Sequence, residues 1–139
     1  MSTISFFSED IDFELIDESN YISWLQNVVE SENKISGELS FVFCDDEYLH
    51  KINLQYLNHD TYTDIITFDY TESGVIAGDI FISIDRVKEN ALLYNKPFKN
   101  ELSRVIVHGV LHLAGYKDKS EEESTLMRSK EDFYLNLLP

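Results

Sequence analysis

Cysteine is almost absent from the sequence, since Cys44 is the only one among 139 residues. A single cysteine excludes an intrachain disulfide, and its place in an apolar run predicts a small buried core residue. No apolar run approaches the roughly 18 residues of a membrane span. The first five residues, MSTIS, have neither the basic nor the apolar region of a signal peptide. We therefore expect a cytoplasmic protein with no membrane partner.

Basic residues are scarce, with 11 Lys and Arg against 26 Asp and Glu and a net charge of −15. This balance argues against a general nucleic-acid binder, because phosphate contacts supply most non-specific affinity. The charges are unevenly distributed: residues 1–85 contain two basic and 18 acidic residues, and residues 86–139 contain nine basic and eight acidic ones. The C-terminal half is either an ordinary mixed-charge helical surface or a local basic rim for RNA. Its cations are Arg86, Lys88, Lys96, Lys99, Arg104, Lys117, Lys119, Arg128 and Lys130.

The sequence has no repeats, no low-complexity segment and no linker, so residues 1–139 are expected to form one domain with a real core. Apolar spacing predicts an α+β fold, with about four strands in one mixed sheet and helices around it. Strands are predicted at 2–7, 38–45, 65–68 and 76–84. Helices are predicted at 18–32, 45–57, from 85 to about 94, up to 113, and after a capping box at 120–123. Residues 34–37 are predicted as a turn, and Asp85 is the predicted cap of the helix that it begins. Tyr56 is predicted to face inward, as are five apolar residues of the last helix: Leu126, Met127, Phe133, Tyr134 and Leu137.

The helix that ends at Leu113 carries the most informative pattern. Its apolar residues recur at the spacing of a helix buried on more than one side. His108 and His112 are four apart, which places their Cβ atoms roughly 5–6 Å apart on one face. Two such imidazoles can chelate one transition metal, although core helices also contain buried histidines at this spacing. Gly109 stands where H-E-x-x-H metallopeptidases have their glutamate base, so that base is missing.

The residues after this helix supply a third candidate ligand. Gly115 is expected to adopt the left-handed conformation that ends a helix and reverses the chain. Asp118 follows three residues later, near enough to offer a carboxylate oxygen. Three protein ligands would leave a fourth position for water, as a catalytic metal site requires.

The stretch from His108 to Asp118, HGVLHLAGYKD, resembles the signature of the YbeY family of metal-dependent endoribonucleases. Two further stretches also resemble that family: the Gly-Asp-Ile of residues 78–80, and the series Asn53, Tyr56, Thr63, Asp64 and Phe68. The family usually has a third His at position 118, an Asp at position 117 and a substrate-contacting Arg at position 57. This chain has Asp118, Lys117 and Leu57 instead. The carboxylate oxygen of Asp118 in place of a His nitrogen affects which metal the site would select. Leu57 in place of Arg removes one expected phosphate contact.

The resemblance implies a single-strand-specific endoribonuclease that acts in maturation of the 16S rRNA 3′ end and in ribosome quality control. Its expected cofactor is one divalent ion, zinc, on His108, His112 and Asp118. Its expected partners are single-stranded rRNA, the small ribosomal subunit and other ribosome-assembly factors.

The remaining candidate site residues follow from position and charge. A metal-bound water is one candidate nucleophile, and the 2′-hydroxyl of the RNA itself is the other. Asp64 and Asp79 are candidate catalytic carboxylates, although either could instead satisfy a turn or backbone donors. Candidate RNA contacts are Arg86, Lys88 and Arg104, because they lie in the basic half.

Three alternatives remain open from the sequence. One is a metallopeptidase-like hydrolase, against which the missing glutamate counts. Another is a ribosome-assembly binding factor whose structural metal would be closed by Cys44 or His59 as a fourth ligand. Two His and one carboxylate also form the facial triad of non-haem iron oxygenases, which usually lies on a β-barrel that this chain cannot build.

Overall fold

A four-stranded mixed sheet is the centre of the structure, a computed structural model in which residues 3–138 are described. Its strands are β1 (Thr3–Ser8), β2 (Ile35–Cys44), β3 (Ile65–Asp69) and β4 (Val75–Ser83), in the order β1-β2-β4-β3. β2 runs parallel to both β1 and β4, whereas β3 is antiparallel to β4. The predicted start of the first strand at residue 2 lies outside the described residues.

Five helices accompany the sheet: α1 (Glu18–Ser31), α2 (Asp46–Leu57), α3 (Ile84–Leu93), α4 (Phe98–Leu113) and α5 (Glu121–Leu135). The α+β prediction with one mixed sheet is therefore confirmed. Ten of the sixteen residues of α4 are buried, so α4 is the central helix. None of the helices in residues 3–138 is both long and apolar enough to cross a membrane.

The two faces of the sheet are covered unequally, because successive side chains of a strand point to opposite sides. Ile76, Ile80 and Ile82 of β4 belong to the main core, which also contains the buried faces of α1 and α4. The other face carries a small second cluster around Cys44, whose partners are Leu49 of α2 and Ile66 of β3. The prediction that Cys44 is a core residue is confirmed.

The predicted turn at residues 34–37 is wrong, because β2 begins at Ile35. Ile35 pairs with Val75 of β4, and the register then shifts by one residue between Ser36 and Leu39. A Cβ on Gly37 would lie 2.7 Å from a Val75 methyl group, so the bulge requires glycine's small size. The turn-like composition thus marks a bulge in a paired strand.

The predicted cap of α3 is also wrong. Its cap is Ser83, the last residue of β4, whose hydroxyl accepts from the Arg86 N–H at 3.1 Å. The helix therefore follows the strand without a loop, and Asp85 lies inside the first turn. The capping box that opens α5 is present as predicted, between Ser120 and Glu123.

Fewer apolar residues of α5 are buried than the sequence predicted. Met127 and Tyr134 are buried as expected, but Leu126, Phe133 and Leu137 are exposed. Burial on α5 instead includes a charged residue, Glu131, between the two buried apolar positions. The predicted inward position of Tyr56 on α2 is wrong as well, since 61% of this residue is exposed.

Candidate active site

A cavity of about 470 Å³ lies beside α4. Helix α4 lines it with residues three or four positions apart, which share one face of a helix. The remaining walls come from the start of β3, the end of α3, the loop after α4 and one side of α5. The polar lining residues are Thr63, Asp64, Thr67, Asn90, Tyr94, Glu101, Arg104, His108, His112, Asp118, Ser124, Arg128 and Glu131. The three predicted metal ligands therefore border one cavity.

His108 is held between two carboxylates. Its Nδ1–H donates to Glu131 Oε2 at 2.7 Å, and its Nε2 lies 3.3 Å from Asp118 Oδ2. Burial opposes a charged imidazole, but the hydrogen bond to Glu131 and the negative charges of Glu131, Asp118 and Asp64 together outweigh burial and raise the pKa of His108. The ring thus has a fixed orientation, with Nε2 directed at Asp118.

Glu131 joins α5 to two residues of α4. Its Oε1 accepts from Arg104 at 2.8 Å while its Oε2 binds His108, and only 5% of the residue is exposed. Burial would raise its pKa, but the hydrogen bonds from His108 and Arg104 lower it, so the carboxylate is ionised. The sequence interpretation missed Glu131. An acidic residue on the same α5 face as Met127 and Tyr134 was the signal that could have identified it.

Arg104, a predicted RNA contact, is largely neutralised inside the protein. Besides Glu131, its guanidinium binds Asp132 Oδ1 at 2.6 Å. The group lines the cavity, but two carboxylates already match its charge. Its position therefore supports a role in holding α5 against α4.

The loop that carries Asp118 depends on Gly115 and Tyr116. Gly115 has φ +112°, a left-handed conformation that side chains disfavour, as predicted for the end of this helix. The Tyr116 hydroxyl then donates to Glu32 Oε1 at 2.6 Å. Glu32 also accepts from the Tyr134 hydroxyl and, at 3.3 Å, from Lys130 Nζ. The Glu32 carboxylate, directly after α1, thus connects α5 to the loop that carries Asp118.

Replacing Glu32 with Gln should destabilise the protein in a pH-dependent way. Burial opposes ionisation, but the hydrogen bonds from Tyr116 and Tyr134 and the charge of Lys130 lower the pKa of Glu32 below its ordinary 4.5. A lowered pKa stabilises the fold above the unfolded-state pKa, and the contribution disappears as pH falls through the folded-state pKa. We expect Glu32→Gln to lower the free energy of unfolding at pH 7 by on the order of 2 kcal/mol. Urea unfolding at pH 7 and below pH 4 measures this, and a difference that does not narrow at low pH would contradict it.

Two carboxyl groups with raised pKa values line the cavity, the partly buried Asp64 and the buried Glu101. Burial raises the pKa of Asp64, and the charge of His108 offsets this only in part. Burial likewise raises the pKa of Glu101, against the charge of Arg104. Asp64 was predicted, whereas Glu101 was missed, although it precedes His108 by seven residues and so lies two turns away on the same helix face. Both carboxyls can hold a proton more readily than exposed ones.

Asp79, the other predicted catalytic carboxylate, does not line the cavity. It follows Gly78, whose Cβ position faces Leu113 of α4, so alternation along β4 directs Asp79 to the opposite face of the sheet. There it accepts a hydrogen bond from the Tyr70 hydroxyl at 3.3 Å. The structure therefore separates Asp79 from the histidines.

Two of the predicted RNA contacts also lie outside the cavity. Arg86 binds Asp46 Oδ2 at 2.8 Å and lies over the Tyr62 ring, 5.7 Å from its centroid. Lys88 is exposed elsewhere on α3. The structure instead brings Arg128 of α5 to the cavity, a residue that the sequence interpretation counted only among the cations of the basic half.

Two of the three predicted donor atoms lie at a separation that a divalent transition metal could bridge. Two ligands on one tetrahedral zinc ion, at about 2.0–2.2 Å each, lie roughly 3.3–3.6 Å apart, and the 3.3 Å between His108 Nε2 and Asp118 Oδ2 agrees with this. A buried carboxylate on the other ring nitrogen is the usual arrangement behind a metal-binding histidine. No three His, Cys, Asp or Glu side chains within residues 3–138 already converge as a complete ligand set. His112, exposed at the cavity, is the third donor of the predicted set.

Gly109 is a packing residue. A Cβ at this position would lie 3.1 Å from side-chain atoms of Ile65 and Ile80. A larger residue would therefore require these isoleucine side chains to shift. Gly109 thus allows close contact between α4 and the two strands at the position where metallopeptidases have their glutamate.

A sequence model of the family described as Endoribonuclease YbeY matches residues 5–139. The chain belongs to the YbeY family. A relative named Endoribonuclease YbeY from Flavobacterium psychrophilum is 57% identical, over 94% of each chain. Another of the same name, from Christiangramia forsetii, is 58% identical over 93% of this chain and 90% of the relative. The YbeY resemblance noted in the sequence is confirmed.

The fold is also similar to a solved structure. The solution structure of TM1509 from Thermotoga maritima superposes with a TM-score of 0.69 and 27% identity, covering 98% of this chain and 89% of the other. This chain and that protein therefore share the same overall fold.

Proposed function

We propose that the cavity beside α4 is the active site of a metal-dependent endoribonuclease for single-stranded rRNA. Membership of the YbeY family makes the chain an RNA-cleaving hydrolase. The expected task is maturation of the 16S rRNA 3′ end and ribosome quality control, in the cytoplasm, on the small ribosomal subunit and alongside other ribosome-assembly factors. The observation that supports this site is His108, fixed by Glu131 and facing Asp118 in a cavity that His112 also lines.

The proposed metal is one zinc ion on His108, His112 and Asp118. Imidazole donors favour transition metals over magnesium, and zinc accepts both imidazole and carboxylate ligands. When bound, such an ion lowers the pKa of a water ligand to about 7 and polarises a phosphoryl oxygen. Glu131 fixes the orientation and tautomer of His108, because its carboxylate accepts the Nδ1 proton.

Asp64 is the proposed proton-transferring carboxyl. It lies in the cavity at the junction between the polar loop and β3, and burial raises its pKa. It can accept a proton from the attacking oxygen or donate one to the leaving 5′-oxygen of RNA. Asp79 is not part of this proposal, because it lies on the other face of the sheet.

The alternatives fit the site less well. A metallopeptidase requires a base at position 109, where a side chain would meet Ile65 and Ile80. A closed structural metal requires a fourth protein ligand. Cys44 belongs to the cluster under α2, where burial raises its thiol pKa to about 12, and His59 is exposed in a loop. Neither lines the cavity. An open, catalytic site therefore agrees better with the geometry.

The test compares RNA and peptide substrates for the same zinc-loaded protein. We expect cleavage of single-stranded rRNA fragments, little cleavage of the same sequence as a duplex, and none of casein. Binding should be weak and salt-sensitive. Two or three phosphate contacts at about −0.7 each give a slope of about −1.5 to −2 in log K against log[salt]. The proposal would be overturned if the protein hydrolysed casein but left the rRNA fragments intact, or if its RNA binding did not depend on salt concentration.

A further inference from the structure

The cavity has few cations with which to bind a polyanion. Four carboxyl groups line it, those of Asp64, Glu101, Asp118 and Glu131, and the Lys and Arg side chains at its described walls are Arg104 and Arg128. Arg104 is matched by Glu131 and Asp132. A phosphate that enters the cavity therefore has one arginine whose charge is not already matched by an ion pair.

Arg128 has the properties that this role requires. It is exposed on α5, and no carboxylate in residues 3–138 lies within ion-pair distance of it. It lines the cavity together with His108, His112 and Asp118, so its guanidinium shares the cavity with the proposed metal ligands. Guanidinium groups bind phosphate through two parallel hydrogen bonds.

Tyr94 contributes an unoccupied aromatic ring to another wall of the same cavity. It caps the C-terminus of α3, and 57% of the residue is exposed. In the described part of the chain no other aromatic ring and no cation lies against it, whereas the Tyr62 ring contacts His50 and Arg86. Exposed aromatic rings beside cations are the usual platform for single-stranded nucleic acid.

We propose that Arg128 and Tyr94 together grip single-stranded RNA in the cavity. Arg128 binds a phosphate next to the scissile one, and Tyr94 stacks on a base. The inference rests on the proposed endoribonuclease function and adds the two side chains that hold its substrate. It also explains how an acidic protein binds RNA at this site, because stacking supplies affinity that needs no positive charge.

The experiment measures binding of a labelled single-stranded RNA to the full-length, zinc-loaded protein at several salt concentrations, with KM and kcat for its cleavage. Arg128→Gln should weaken binding about fivefold at 0.1 M salt and reduce the salt slope by about 0.7. Tyr94→Ala should weaken binding about fivefold or more without changing the slope, and Tyr94→Phe should retain wild-type affinity. Both losses should appear in KM, while zinc content stays at the wild-type value.

Matched controls separate these effects from general ones. Lys99→Gln removes one exposed charge that does not line this cavity, and Leu92→Ala removes an exposed apolar side chain from α3. Both should bind RNA as the wild type does. If the wild type cleaves RNA but Arg128→Gln keeps its affinity and slope, or Tyr94→Phe is as weak as Tyr94→Ala, the inference is wrong. A wild type that neither binds nor cleaves RNA would overturn the proposed function itself.

Discussion

Alanine in place of His108 or His112 is expected to abolish stoichiometric zinc binding and to reduce RNA cleavage by at least about 100-fold. Loss of an outer residue that only orients a ligand typically costs 10–100-fold in metal affinity or activity, so loss of a ligand should cost more. Asp118→Ala removes the carboxylate that faces His108 Nε2 at 3.3 Å and should have the same direction of effect. Elemental analysis of the purified variants and single-turnover cleavage of an rRNA fragment measure the two losses.

His59→Ala is the control for this series, because His59 is exposed in the loop after α2 and does not line the cavity. It should retain both zinc and activity. If the triple variant His108→Ala, His112→Ala, Asp118→Ala still contains one zinc ion per chain, the metal site lies elsewhere and the proposed ligands are wrong.

Glu131→Ala is expected to lower the free energy of unfolding by about 3 kcal/mol. Removing one partner of a buried ionic contact leaves the others uncompensated, which typically costs 3–5 kcal/mol. Here Arg104 keeps its bond to Asp132, but His108 loses the acceptor of its Nδ1 proton. Urea unfolding measures the loss of stability. Glu131→Gln keeps the shape and should fold, but without the carboxylate its zinc affinity should fall by about 10–100-fold.

Asp132→Asn tests whether the effect of Glu131 on zinc affinity is separate from the effect of the Arg104 ion pairs on stability. Asp132 binds the same arginine as Glu131 but is more exposed and makes no contact with His108. We expect a small loss of stability and unchanged zinc affinity, measured by competition with a chelator. Equal losses of zinc affinity in Glu131→Gln and Asp132→Asn would show that Glu131 does not act through His108.

Local patterns predicted the framework of the site. The i, i+4 spacing of His108 and His112 and the glycine that reverses the chain depend on contacts within a few residues, so the sequence contains them. The same holds for the α+β class and for the central position of α4, which follow from apolar periodicity. Asp118 faces His108 as expected, because Gly115 returns the chain toward the helix that it has just left.

The supporting groups come from residues far apart in the chain. Glu131 meets His108 over 23 residues, and Tyr116 meets Glu32 over 84. The local sequence does not indicate which acidic residue of α5 is buried. Sequence alone also could not tell free cations from paired ones, which is why Arg86 and Arg104 were as plausible as Arg128.

The sequence by itself determined the His-x-x-x-His spacing, the fold class and the family, because each depends on the pattern of residues close together in the chain. Only the tertiary structure decided which charges remain available. Packing α5 against α4 pairs Arg104 with Glu131 and leaves Arg128 at the cavity, and the pleat of β4 turns Asp79 away from it. Burial and partnership are properties of the assembled fold, and they set which side chains can act on a substrate.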